Sequence, residues 1–182
     1  MTTPQAVSIP EMFGQSIEVI TKPSVATFER YEDRGHLTQA LIYVAITAAV
    51  AGVFGLAGGL GGFIGGIVNT MIGFLAFTGL VYTIGKSQGG TGTFDQVAYT
   101  FSLFWVPISV AVAVIAFILT ITLIGILLLP LLALAAIVLN VFFGYLAVQS
   151  SMNLTQSSKI WTTLVGAAIG AWIVSAVVGR VF

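Results

Sequence analysis

Charged and apolar positions are very unevenly spread along this chain. From Gln96 to Ser158, 63 residues pass without an Asp, Glu, Lys or Arg, and from Gly35 to Gly85 another 51 do so. A helix that crosses a bilayer needs about 20 predominantly apolar residues, so each run has room for two crossings joined by a turn. In the earlier run the glycine-dense segment 55–66 divides the apolar residues, which predicts spans at about 37–55 and 63–84. In the later run Thr120 to Gly125 is the polar-leaning break, which predicts spans at about 97–119 and 126–148. A further span is expected at about 160–178, after the polar link Gln149–Ser158. Stretches such as Ile108–Leu119 and Leu127–Leu139 are apolar on every side, as befits helices surrounded by lipid or by other helices. The expected fold is all-α: a polytopic integral membrane protein of five transmembrane helices with a short amphipathic cytoplasmic segment at its amino terminus. Residues 1–36 form the head and residues 37–182 the membrane domain.

The head follows a different pattern. Ser8-Ile9-Pro10-Glu11 has the spacing of a capping box, with proline in the first turn where its missing N–H costs nothing. Ile9, Met12, Phe13, Ile17 and Ile20 then recur at helical spacing on one face, with Glu11, Gln15 and Glu18 off it. That stripe is expected to lie at the headgroup boundary or against the cytoplasmic ends of the spans. Lys22-Pro23 ends this helix. A second short helix is expected from Ser24 to Glu32, closed by Arg34-Gly35. The first apolar run begins near Leu37 behind a mixed-charge segment, unlike a cleavable signal peptide, so the first span is expected to stay in the mature protein.

Composition agrees: 58% of residues are hydrophobic and 7% charged, against roughly 25% charged in a soluble domain. Net charge is zero, which gives no electrostatic footprint for nucleic acid. The absence of cysteine excludes disulfides, thiolate chemistry and iron–sulfur clusters. With five spans, Lys22, Arg30, Arg34, Lys86 and Lys159 fall on one side and only Arg180 on the other. The positive-inside rule then makes the amino terminus cytoplasmic and the carboxyl terminus external. The expected location is a cell membrane, which the chain crosses several times.

The search for catalytic, cofactor-binding or metal-ligating residues ends without a candidate set. Gly85-Lys86-Ser87 echoes the end of a phosphate-binding loop, but Leu80 stands where the loop needs its first glycine. His36 is the only histidine, and a metal needs several convergent ligands. Asn153-Leu154-Thr155 fits a glycosylation sequon but falls in an expected cytoplasmic loop. What remains at membrane depth are Asn69 and Asn140, whose amides need partners in hydrocarbon and are therefore candidate interhelical polar contacts. Gly58/Gly62, Gly61/Gly65 and Gly62/Gly66 repeat the spacing that lets helices approach closely, within one chain or between two copies. Pro107 lies inside the third span and is expected to kink or thin it unless neighbours satisfy the freed carbonyl.

Ile20-Thr21-Lys22-Pro23 followed by Phe28, Thr93-Phe94-Asp95-Gln96-Val97 leading through Tyr99 to Val106-Pro107-Ile108, and Leu146-Ala147-Val148-Gln149 before Lys159 carry a resemblance. In these positions the chain resembles the Yip (Ypt-interacting protein) family of five-span membrane proteins, whose eukaryotic members are associated with Rab GTPases and vesicle traffic. The Asp-Leu-Tyr-Gly-Pro signature of the eukaryotic branch is absent, so the resemblance is to a prokaryotic-type member. Pro23, Phe94, Asp95, Tyr99 and Pro107 are its family-like positions. The resemblance implies a non-enzymatic membrane adaptor or membrane-organising, trafficking-related protein without cofactors. Its partners would be the lipid bilayer and other membrane or cytoplasmic proteins. The residues alone leave open a small channel or transporter for a neutral or apolar solute, with Asn69, Asn140 and Pro107 lining its path.

Overall fold

Backbone N–H and C=O groups in hydrocarbon must be satisfied within the segment that carries them, which favours helices wherever this chain is continuously apolar. The computed structural model describes residues 7–180, and for residues 123 and 124 the backbone; residues 1–6 of the expected head and 181–182 of the expected membrane domain lie outside the described residues. Among the described residues all regular structure is helical, as seven α-helices with one 3-10 turn. These are α1 (Ile9–Thr21), α2 (Val25–Glu29), α3 (Leu37–Gly55), α4 (Gly59–Ser87), α5 (Phe94–Thr120), α6 (Leu123–Ser151) and α7 (Ser157–Val178), with the 3-10 turn Leu56–Gly58 between α3 and α4. Four segments are long and apolar enough to cross a membrane: Leu37–Ser87, Phe94–Thr120, Gly125–Ser151 and Ser157–Val178.

The first of these, 51 residues long, would measure about 75 Å as one straight helix at 1.5 Å per residue. It folds back on itself instead. Gly59, with φ +75°, takes a left-handed conformation at the reversal that a side chain would resist. Past the turn α3 and α4 run antiparallel in close contact, and a methyl group on Gly55 would lie 2.1 Å from the carbonyl oxygen of Gly62. Gly62 and Gly66 thus serve packing within the chain, Gly66 facing the carbonyl of Ala51, whereas Gly58 and Gly61 face open space. The glycine-dense segment is helical from Gly59 because its close packing on α3 offsets the low helix propensity of glycine.

Around this hairpin α7 lies antiparallel along α4, with Leu80 against Gly170 and Ile84 against Gly166. α5 packs on α3 and α4, and α6 packs on α5 and α7. Aromatic rings fill the seams: Phe77 meets Phe101, Phe74 meets Trp105, and Phe104 stacks on Phe143 at 5.7 Å. Toward the far end α5 and α6 leave Ile118, Ile121, Leu127 and Leu131 exposed. Exposed apolar surface of this extent fits a helix that faces lipid. Both α5 and α6 continue through their prolines, Pro107 and Pro130, as single helices.

α1 and α2 sit on the end of the bundle that gathers the start of α3, the α4–α5 loop and the α6–α7 loop. α1 packs on α5 and α3, and α2 packs on α6. Phe28 of α2 is fully buried and meets Phe104 edge-on at 6.1 Å. This head end also holds Lys22, Arg30, Arg34, Lys86 and Lys159, while Arg180 follows the opposite end of α7.

Candidate functional site

The head end collects most of the polar side chains that make long-range contacts. Its first element, α1, opens with the expected box: the Glu11 carboxylate accepts from Ser8 N at 2.7 Å and from Ser8 Oγ at 2.8 Å. The hydrogen bond from the Ser8 amide, then that from its hydroxyl, holds the Glu11 carboxyl below the usual range. The buried face of α1 takes only part of the apolar stripe, Met12 fully and Ile9 and Ile20 partly. Met12, Gln15, Ser16 and Val19 turn inward, while Phe13 and Ile17 are 56% and 50% exposed. The reason lies in two buried tyrosines. Tyr99 of α5 donates its hydroxyl to Gln15 Oε1 at 2.7 Å, and the hydroxyl of Tyr43 of α3 lies 3.0 Å from Ser16 Oγ. Buried phenol groups need hydrogen-bond partners, and α1 turns its small polar residues inward to supply them.

From α1 the chain turns at the exposed Pro23 into α2, where Ser24 caps the helix by accepting from Thr27 N at 3.1 Å. Glu18 binds both Arg30 and the Tyr31 hydroxyl, tying α1 to the segment after α2. The Tyr31 hydrogen bond is the main reason the Glu18 carboxyl lies below its ordinary range, and the same bond raises the Tyr31 phenol. Deeper in, Glu32 is buried and accepts a hydrogen bond from Ser150 at the end of α6. Burial pushes its carboxyl up, the Ser150 bond partly opposing, and Asp33 and Glu29 add to the rise.

Asp95 serves two helices at once. It stands in the first turn of α5, and its Oδ1 accepts from Leu37 N at 3.0 Å, so its charge faces the positive amino-terminal ends of both α5 and α3. His36 Nδ1 lies 3.2 Å from Asp95 Oδ2. Beside it Gln96 closes a capping box with Thr93 and donates to Asp33 Oδ1 at 2.7 Å. Phe94 packs on Tyr82. Of the family-like positions, Asp95 and Tyr99 therefore join α5 to the start of α3 and to the head, Phe94 packs α5 on α4, Pro107 lies inside α5, away from the head, and Pro23 shapes a turn.

The asparagines stand apart from this site. Asn140 donates to the carbonyl of Ala136 at 2.8 Å, one turn back in its own helix. The cross-helix bond expected of it is thus met locally, because an amide four residues on reaches that carbonyl without needing a neighbour. Asn69 is exposed at the side of α4 and has no protein hydrogen bond among the described residues. Gln15, Ser16, Tyr43, Glu32 and Ser150 were not singled out in the sequence. The available signals were a tyrosine inside an apolar span and serines closing another. Among the described residues no group of three or more His, Asp or Glu gathers to hold a metal.

Replacing Glu32 with glutamine isolates one consequence of its burial. An acid whose folded-state pKa lies above its unfolded value contributes full stability below that unfolded value, ordinarily 4.5 here, and loses it as pH rises through the folded value. Head docking should therefore weaken from mildly acid toward neutral pH. Glu32→Gln should remove that component and leave the variant more stable than the parent at neutral pH, the two converging below about pH 4.5. Thermal melting of both proteins across this range is the check.

An all-helical bundle with several membrane-length apolar segments, closed at one end by a docked polar head, defines an integral membrane protein of the multi-pass class. The chain belongs to the Yip1 family: the profile of the Yip1 domain matches residues 17–178, nearly its whole length. Comparison with curated proteins and with solved structures gave no match.

Proposed function

We propose that this Yip1-family protein is a non-enzymatic membrane adaptor that organises the bilayer surface around its head. In this reading it crosses the membrane five times in the plasma membrane of a prokaryote, with the head in the cytoplasm and the carboxyl terminus outside. The reversal at Gly59 supports counting Leu37–Ser87 as two spans, since α3 at 19 residues is about 28 Å long and matches a hydrocarbon core of about 30 Å. The gathering of five of the six Lys and Arg residues at the head end supports the orientation.

The observation that carries the function is the way α1 is held. Gln15–Tyr99 and Ser16–Tyr43 fix its rotation on the spans, and this leaves Phe13 and Ile17, one turn apart, pointing away from the protein. A helix clamped at membrane level with two large apolar side chains outward suits insertion among lipid headgroups, where each buried side chain is worth about 1.5–3 kcal/mol. Phe13→Glu with Ile17→Glu should leave the melting temperature nearly unchanged, since both side chains are exposed. Vesicles reconstituted with the parent should differ in size distribution from empty vesicles, and those with the double variant should not. Neither protein should raise the flux of small neutral solutes. Flux through the parent above that of empty vesicles would replace the adaptor with a channel.

A further inference from the structure

α4 is wedged between α3 and α7, with α5 on its inner side. It turns Phe74, Thr78, Val81 and Gly85 into the bundle. Two residues back along a helix is a rotation of about 200°, so Ile72, Ala76, Gly79 and Thr83 face outward. Seven residues before Ile72 and Ala76, Gly65 and Asn69 continue that face. The alternating steps of four and three from Gly65 to Thr83 are those of a left-handed helix pair, with Asn69, Ala76 and Thr83 at one seam position and Gly65, Ile72 and Gly79 at the other.

This face is unlike the surface that α6 turns to lipid, where Leu127, Leu131, Leu134 and Val138 are exposed. Beyond Ile64 and before its last turn, α4 exposes no large apolar side chain; the exposed residues are Asn69 and Thr83. A side chain added at Gly79 would meet open space, so the face is flat there. Small residues on a helix let two backbones approach closely in a bilayer. Thr83 is satisfied within its own helix, donating to Gly79 O at 2.8 Å, but Asn69 has no such partner among the described residues. Ten residues from Gly59, it lies about 15 Å along α4, near the middle of a hydrocarbon core of about 30 Å. Acyl chains offer an amide nothing to bond at that depth.

We propose that this face is the interface of a parallel homodimer, in which α4 of each copy packs on α4 of the other and the two Asn69 amides bond reciprocally. Three features select a second copy of this chain as the occupant. An amide both donates and accepts, so a twofold axis along the membrane normal brings each Asn69 to the depth of its counterpart with matched groups. The same axis sets one small-residue seam against another, which is the pairing that permits close approach from both sides. A single asparagine at a seam position is also the device that fixes register and strand number in two-stranded coils. Beside Asn69 a notch of ≈ 270 Å³, lined by Gly62, Gly65, Gly66, Val178 and Gly179, gives the incoming amide room.

Because the chain has no cysteine, a single introduced thiol can form a disulfide only with its counterpart in a second copy. Purified Ile72→Cys and Ala76→Cys proteins, diluted in phosphatidylcholine vesicles and oxidised with copper phenanthroline, should run as covalent dimers. Leu134→Cys, exposed on α6, should stay monomeric. Adding Asn69→Leu to Ala76→Cys should lower the association constant, read from dimer yield across protein-to-lipid ratios, by about tenfold, the loss expected for two interhelical amide bonds. Asn69→Leu should nonetheless melt like the parent in detergent, since Asn69 has no hydrogen bond within the described chain. Gly79→Leu gives a second reading in the Ile72→Cys background: its side chain meets open space in one copy, enters the seam between two, and should lower the dimer yield. Equal cross-linking from Leu134→Cys and Ala76→Cys, none from either seam position, or a yield indifferent to both Asn69→Leu and Gly79→Leu would overturn the proposal.

Discussion

Replacing Phe28 with alanine should release the head from the bundle while leaving the spans inserted. Phe28 is the largest side chain that α2 buries; it is fully enclosed, and its ring meets Phe104 edge-on. Truncating a buried phenylalanine typically costs about 3–5 kcal/mol, part from lost transfer and part from the cavity left behind. The remaining contacts of the head with the spans are the buried Met12 and Val19 of α1 and the hydrogen bonds Gln15–Tyr99, Ser16–Tyr43 and Glu32–Ser150, the bonds each worth about 1 kcal/mol. Amides of α1 and α2 should then exchange with solvent much faster in nanodiscs, while those in the middle of α5 stay protected. Unchanged protection of α1 would mean that the head is held by something other than this anchor.

The second large effect is expected at the other side of the head end. A methyl group on Gly92 would lie 1.6 Å from the carbonyl oxygen of Ser151. The carbonyl oxygen belongs to the backbone and a Cβ is fixed by its own backbone, so no side-chain rotation relieves the clash. The loop after α4 is held there by Thr91 N donating to Met152 O at 3.1 Å and by Asn153 Nδ2 donating to Thr91 Oγ1 at 3.1 Å. Gly92→Ala should force these two loops apart at a cost of about 3 kcal/mol, the upper part of the overpacking range. It should be read as a lower melting temperature in detergent. Gly58→Ala, where the added methyl meets open space, should melt like the parent.

The helices of the membrane domain were legible because charge is costly in hydrocarbon. The uncharged runs marked where helices lie, and the observed α3, α5, α6 and α7 begin and end within three residues of the expected spans. α4 starts four residues early, at Gly59 rather than 63, since glycine reads as a breaker until its packing partner is known. The head was legible only in outline. Periodicity located α1 and its inward Met12, Ile9 and Ile20, but not the inward turn of Gln15 and Ser16 that leaves Phe13 and Ile17 exposed, because the residues that orient it are Tyr43 and Tyr99, 27 and 84 positions from their partners. No local pattern reports a bond of that span. The same holds for Glu32 and Ser150, separated by 118 positions. Asn140 shows the converse: the chemistry of its amide was plain, but a carbonyl four residues away in its own helix was nearer than any neighbour.

Cysteine accessibility measures the proposed arrangement in the membrane directly. The chain has no cysteine, so a single introduced thiol reports one position. Ser87, Ser157 and Gly58 are exposed, the first two at the head end and the third at the opposite turn. Gly58 is preferred to Gly59, whose positive φ would strain a side chain. Ser87→Cys and Ser157→Cys should react with an impermeant maleimide only after intact cells are opened, and Gly58→Cys should react from outside. Labelling of Ser87→Cys on intact cells would contradict the five-span arrangement with a cytoplasmic head.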